Sequence, residues 1–180
     1  MVKHYEGELG TFDYDGTEFE ISGGHLRYIG KETDGSRIHI PEGIRDCCYM
    51  FWECVSFKTP LVIPEGVKDC SYMFRDCKSL KEAPQILDGV KYCKGMFWDC
   101  ASLKEVPVIP EGVTDCDYMF HSCTAIEKAP VIPGSVENCS HMFDCCSDSI
   151  EEAGRWNIKN RGQDYYIDGP GKEEVRKRRI

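Results

Sequence analysis

Apolar positions recur along this chain at a fixed interval of 23 residues. Two cysteine columns, one methionine column and one phenylalanine column keep this interval without an insertion. The columns are Cys47, Cys70, Cys93, Cys116 and Cys139; Cys54, Cys77, Cys100, Cys123 and Cys146; Met50, Met73, Met96, Met119 and Met142; and Phe51, Phe74, Phe97, Phe120 and Phe143. Residues 40–154 therefore divide into five equal units, and such a period predicts units that bury their apolar faces against one another.

Within one unit the apolar spacing changes from helical to extended. Cys116, Met119, Phe120 and Cys123 occupy i, i+3, i+4 and i+7, which places them on one face of a short helix. In the segment 103–108 the first, fourth and sixth residues are apolar, a pattern typical of the strand in a leucine-rich repeat. The predicted fold is an α/β solenoid, a short leucine-rich-repeat stack with a parallel β-sheet on the concave side and short helices on the convex side.

The two ends of the array are predicted to be β caps. Residues 1–39 form the N-terminal cap, with a β-hairpin over 12–21 around Asp15-Gly16. Residues 155–171 form the C-terminal cap, a second hairpin that pairs 156–158 with 165–167. Residues 172–180 are a basic tail. The chain is expected to be one structural domain.

The units carry a family resemblance. Ile63-Pro64-Glu65-Gly66-Val67, Tyr72-Met73-Phe74, Cys77 and Ser79-Leu80-Lys81 resemble, in that order, the leucine-rich repeats of BspA-like bacterial surface proteins. The resemblance implies the leucine-rich-repeat fold and a binding scaffold, but no common ligand. Three units depart from the family pattern because they carry proline inside the strand, where it cannot donate to a sheet. These residues are Pro84, Pro107 and Pro130.

Composition and charge narrow the function. The 180 residues include 22 Lys and Arg against 31 Asp and Glu, a net charge of −9 that repels phosphate backbones. We expect no direct nucleic-acid binding and a protein partner, for which the basic surface of a nucleic-acid-processing enzyme is one example. The chain has no membrane-length apolar segment and no apolar signal region after Met1, which predicts no membrane association and a cytoplasmic location, or the cell surface if the chain is a fragment.

The twelve cysteines favour packing over chemistry. Zinc sites use cysteine pairs about two to four residues apart, whereas the two columns are separated by seven, so we expect no metal site and no cofactor. Reduced, buried cysteines acting as small apolar residues are expected instead. Cys48 and Cys145 lie outside both columns and are the candidates for exposed, oxidisable thiols. No phosphate loop or hydrolase motif is present, and the histidines are scattered, which predicts no enzyme activity and no catalytic residues.

Two surfaces are candidates for binding. The concave candidates are charged and follow the strands, although a solvated edge would have the same composition. They are Lys58, Lys81, Glu82, Lys104, Glu105, Glu127 and Lys128. The convex candidates are mainly aromatic, as in interface anchors, although packing against caps or loops would also account for them. They are Tyr49, Trp52, Tyr72, Arg75, Trp98, Tyr118 and His121.

The sequence favours a non-enzymatic protein–protein interaction module. The leading hypothesis is a small intracellular inhibitor or adaptor that binds another protein, for example one encoded by a phage against a host defence protein. The first alternative is a cell-surface adhesion module of the BspA-like type, which the resemblance implies. The second is a thiol-based redox or metal sensor. Neither the partner nor the oligomeric state follows from the sequence.

Overall fold

The computed structural model describes residues 10–159, which begin with a three-stranded antiparallel sheet. Its strands are β1 (Gly10–Tyr14), β2 (Thr17–Ser22) and β3 (His25–Tyr28), in the order β1-β2-β3. The hairpin expected around Asp15-Gly16 is present, with Tyr14 opposite Thr17. The third strand was not predicted. A 3₁₀ turn (Gly35–Arg37) then leads into the repeats.

Successive repeats are joined by backbone hydrogen bonds. The N–H groups of Tyr49, Phe51 and Glu53 donate to the carbonyls of Ser71, Met73 and Arg75 at 3.1, 2.9 and 2.9 Å. The same bonds recur at each following junction through Ser122, which donates to Asp144 at 2.8 Å. Each unit is therefore held in register with the next by its main chain.

The predicted helices are absent from the repeats. The segment that begins at Cys47 is a run of β-turns closed by bonds such as Met50 N–H to the Cys47 carbonyl, 3.2 Å. Tyr49 and Glu53 have φ of +57° and +60°, left-handed values that fit the third position of a type II turn and end any helix. The helix predicted from the i, i+3, i+4, i+7 spacing does not form. Alternate N–H groups donate to the next unit and not to the carbonyl four residues earlier, as they would in a helix.

The parallel sheet is absent too, and the prediction of an α/β solenoid with a parallel concave sheet is wrong. In residues 10–159 the regular structure is the small antiparallel sheet and one α-helix. Between repeats the described parallel pairing is limited to isolated bridges, for example Glu82 with Glu105. The prolines at 84, 107 and 130 explain part of this, because each removes a ladder donor from the segment expected to be a strand.

The described C-terminal end is helical. Helix α1 (Asp148–Lys159) occupies the place predicted for the first strand of a C-terminal hairpin, and that prediction is wrong for 156–158. Asp148 and Glu151 lie in its first turn and Lys159 in its last, which suits the helix dipole. The predicted second strand at 165–167 and the basic tail at 172–180 lie outside the described residues. Within 10–159 no helix has the length and apolar character needed to cross a bilayer.

One apolar core runs from β2 through the repeats to Ile150 in α1. At its centre the rings of Phe51, Phe74, Phe97, Phe120 and Phe143 lie face to face, with centroids 5.4 to 5.7 Å apart. The N-terminal sheet contacts the first ring of this phenylalanine column, because the Tyr28 ring lies 5.3 Å from the Phe51 ring. The Tyr28 N–H also donates to the Met50 carbonyl at 2.7 Å. Strand β3 therefore takes the place of a preceding repeat.

The second cysteine column has a polar as well as an apolar role. The Cys77 thiol donates to the Phe51 carbonyl at 3.1 Å, and Cys100 donates to Phe74 at 3.1 Å. Cys123 and Cys146 repeat the contact with Phe97 and Phe120. A thiol is small enough for this position and, unlike alanine or valine, supplies a donor.

Replacing a central ring should destabilise the whole array. Phe97→Ala removes a fully buried ring between two stacked neighbours and is expected to lower the free energy of unfolding by about 3–5 kcal/mol. Val108→Ala, at a side chain that is 84% exposed, should change it by less than about 0.5 kcal/mol. Urea denaturation followed by circular dichroism compares the two, and equal effects would contradict the structure.

Candidate functional site

An unbroken row of rings crosses the surface of the repeats. Tyr49 stacks on Tyr72 with ring centroids 4.9 Å apart and planes 9° from parallel. Tyr72 contacts Trp98 at 6.5 Å, Trp98 stacks on Tyr118 at 5.1 Å, and Tyr118 stacks on His141 at 4.8 Å. We call these five residues the aromatic row. It takes one ring from each of the five repeats.

Gly95 shapes the middle of the row. It occupies the place in the third unit where the first, second and fourth units carry tyrosine. A Cβ at Gly95 would lie 2.5 Å from the Tyr72 ring, and the φ of +56° is itself one that side chains rarely adopt. Trp98, three residues later, fills the gap and contacts both neighbouring tyrosines. Glycine and tryptophan together thus keep the row continuous.

Polar and cationic groups hold the rings in place. The Arg75 guanidinium lies 4.4 Å from the centroid of Trp98, and its Nε donates to the Asp76 carboxylate at 3.2 Å. Lys94 pairs with Asp117 at 3.2 Å while lying 5.9 Å from the Tyr118 ring. The hydrogen bond to Asp117 raises the pKa of Lys94, and burial raises the pKa of Tyr72. The row is therefore a fixed surface with cations lying against its rings.

The convex candidates are brought together, although not on helices. Tyr49, Tyr72, Trp98 and Tyr118 belong to the row, and His121 lies beside it, 4.7 Å from Trp98. The Trp52 ring contacts the Tyr49 ring at 5.9 Å, and the Arg75 guanidinium lies over the Trp98 ring. All seven are half-buried. Sequence reasoning missed His141 as a site residue, although the period of 23 places it in the column of Tyr118.

The concave candidates form a different surface, which we call the charged strip, made of the seven Lys and Glu residues predicted from the sequence. All of them are exposed. Their backbones are aligned, since the N–H of Lys104 donates to the carbonyl of Lys81 at 3.0 Å. The Lys104 ammonium pairs with the Glu127 carboxylate at 3.0 Å, and exposed pairs of this kind contribute little to stability. With no continuous sheet beneath it, this surface is not the concave face that was predicted.

The thiols are mostly buried and protonated. Burial raises the pKa of Cys54 and Cys146 to about 11 and that of Cys70 to about 12. Cys48 was expected to be exposed, but its side chain is buried, and burial together with Asp46 and Asp69 raises its pKa. Cys145 is exposed, as expected.

No family model, curated protein or solved structure matches this chain.

Adding a methyl group at Gly95 should disrupt the row. Gly95→Ala is expected to destabilise the protein by about 1–3 kcal/mol more than Gly66→Ala, because overpacking adds to the backbone strain. Gly66 is the matched control, with a φ of +88° and open space around its Cβ position. Chemical denaturation gives both values. Equal losses would mean that the Tyr72 ring moves aside freely.

Native thiol labelling should single out Cys145. At pH 8 a thiol of pKa about 11 is ionised to only about 0.1%, so the buried cysteines are expected to react with Ellman's reagent far more slowly than Cys145. The fast phase should equal one thiol in the wild type and disappear in Cys145→Ser. All twelve should react in guanidinium. A fast phase of several thiols would contradict the burial described here.

Proposed function

We propose that this protein is a non-enzymatic protein-binding module, a small intracellular inhibitor or adaptor, and that it binds its partner through the aromatic row. The observation that carries the proposal is the continuous row of ring contacts from Tyr49 to His141, one ring from each repeat. Tyrosine, tryptophan and arginine are the side chains that contribute most often to the energy of protein interfaces.

The row is suited to binding because its side chains are already ordered. The inner rings, Tyr72, Trp98 and Tyr118, pack between neighbouring rings. Arg75 and Lys94 are held by carboxylates. Ordering a free side chain at an interface costs about 0.5–1.5 kcal/mol, a cost that this surface avoids. The half-buried rings still present edges and faces to a partner. Preorganisation is therefore the proposed source of affinity.

The charged strip is a weaker candidate. Its exposed lysine and glutamate side chains would have to be ordered on binding, and their opposite charges lie next to one another. The inner rings of the row are already ordered by contact with their neighbours.

The net charge supports a partner with a basic surface. Because the chain has a net charge of −9, its long-range electrostatic field attracts a positively charged protein and increases the rate of association. The thiol-to-carbonyl hydrogen bonds support a reducing compartment, because only the reduced sulfur carries the proton that is donated. Both observations fit an intracellular inhibitor or adaptor.

The test is affinity capture followed by reconstitution. Tagged protein retains partners from a lysate of its native host, the retained protein is identified by mass spectrometry, and the purified pair is titrated by calorimetry. Tyr118→Ala is expected to weaken the complex at least about tenfold, because the ring is a central member of the row. The complex should also weaken with rising salt.

The control is a double change in the strip. Lys81→Glu with Lys104→Glu should leave the affinity within about threefold, and thermal melting must show that both variants are folded. The reverse result, with binding lost only in the strip variant, would move the site to the strip. If neither variant affects the affinity, the aromatic row is not the binding surface.

A further inference from the structure

A cluster of metal-ligating atoms lies where the sheet meets the first repeat. His25 begins β3, and Asp46 and Cys48 belong to the following repeat. One donor atom from each, the imidazole nitrogen, a carboxylate oxygen and the sulfur, lie within 4.8 Å of one another. His25 Nδ1 is 3.7 Å from Asp46 Oδ2. Neither cysteine column contributes to this cluster.

The spacing suits a tetrahedral ion. Zinc binds nitrogen and oxygen at about 2.0–2.1 Å and sulfur at about 2.3 Å, which puts neighbouring ligand atoms about 3.4 Å apart. A small inward movement of the three side chains would reach that value from the distances in the structure. Nitrogen and sulfur donors favour zinc over calcium or magnesium, which prefer oxygen.

The imidazole of His25 has an unmet bonding requirement. Its Nδ1 is shielded from solvent and makes no hydrogen bond, while the side chain as a whole is 38% exposed. The 3.7 Å separation from Asp46 is too long for a hydrogen bond. An orphaned buried nitrogen is costly, and a metal ion would satisfy it. The exposed part of the ring leaves the cluster close to solvent, from which an ion can enter.

The other two donors are already oriented. The Cys48 N–H donates to Asp46 Oδ1 at 2.8 Å, which leaves Oδ2 directed toward His25. The Cys48 thiol is buried beside the carboxylates of Asp46 and Asp69. Two carboxylates around a thiol favour a bound cation electrostatically, and a cation in turn favours the thiolate.

Cys48 is also an exception within the repeats. The equivalent positions carry Ser71, Lys94, Asp117 and Ser140, so cysteine occurs here only in the first unit. His25 precedes Cys48 by one interval of 23 residues, which is the place that β3 takes as a preceding repeat. The single cysteine of this column therefore faces the strand that supplies the histidine.

We propose that His25 Nδ1, Asp46 Oδ2 and Cys48 Sγ form a zinc site that fastens the N-terminal sheet to the first repeat, with water in the fourth position. The argument for this site does not rest on the proposed partner binding, although the His25 ring contacts Tyr49 of the aromatic row at 5.8 Å.

The experiment is metal titration of the reduced, chelator-treated full chain. Cobalt(II) is the spectroscopic probe, and one equivalent should produce a thiolate-to-metal charge-transfer band that zinc then abolishes. Zinc should raise the melting temperature of the wild type. His25→Ala and Cys48→Ser should each weaken zinc binding at least about tenfold and remove the zinc-dependent rise in melting temperature.

Two controls keep the outcome decisive. Cys145→Ser removes the exposed thiol, and His39→Ala removes another histidine that pairs with an aspartate, Asp15 at 3.3 Å. Both should bind cobalt as the wild type does. Thermal melting of each variant without metal shows whether it is folded. If Cys48→Ser does not fold, His25→Ala provides the test, because the His25 side chain is partly exposed. No charge-transfer band, or a band that survives His25→Ala, would overturn the proposal.

Discussion

Everything in this structure depends on the main-chain hydrogen bonds between repeats. The N–H groups of Tyr49, Phe51 and Glu53 donate to the next unit, and the pattern is repeated at every junction. These bonds fix the register of one unit on another, so each side chain lies against its equivalents. The left-handed residues in each turn, such as Tyr49 and Glu53, are the conformational cost of directing alternate N–H groups outward. The buried phenylalanine stack offsets that cost.

Fixed register turns a repeated sequence into columns with separate roles. The phenylalanine column forms the core, and the second cysteine column satisfies carbonyls of the preceding unit. The tyrosine column forms the aromatic row, where the substitution by Gly95 is compensated by Trp98. The zinc site proposed at His25 and Cys48 belongs to the same scheme, because β3 enters the array as a preceding unit would. The proposed zinc site thus depends on a departure from the repeat, whereas the aromatic row depends mainly on the repeat itself.

The two proposals draw on different properties of the columns. Partner binding uses side chains that neighbours have already ordered, so the rings lose little entropy when a protein covers them. Metal binding uses the opposite property, an imidazole nitrogen whose hydrogen bonding the fold leaves unmet, beside a thiol that lies between two carboxylates. Both place function outside the phenylalanine column, which serves packing.

The sequence alone determined the period of 23, the members of each column, the acidic charge and the Asp15-Gly16 hairpin, because these follow from spacing and local turn chemistry. It also identified most of the aromatic row, since equivalent positions must share a surface.

It did not determine the secondary structure of a repeat, because Cys116, Met119 and Phe120 have a spacing that suits a helix as well as a series of turns. Only the tertiary structure decides which carbonyl each N–H meets, and here that carbonyl lies in the next unit. For the same reason the burial of Cys48 and its approach to His25 could not be predicted, because both depend on tertiary packing, which brings His25 of β3 against the first repeat.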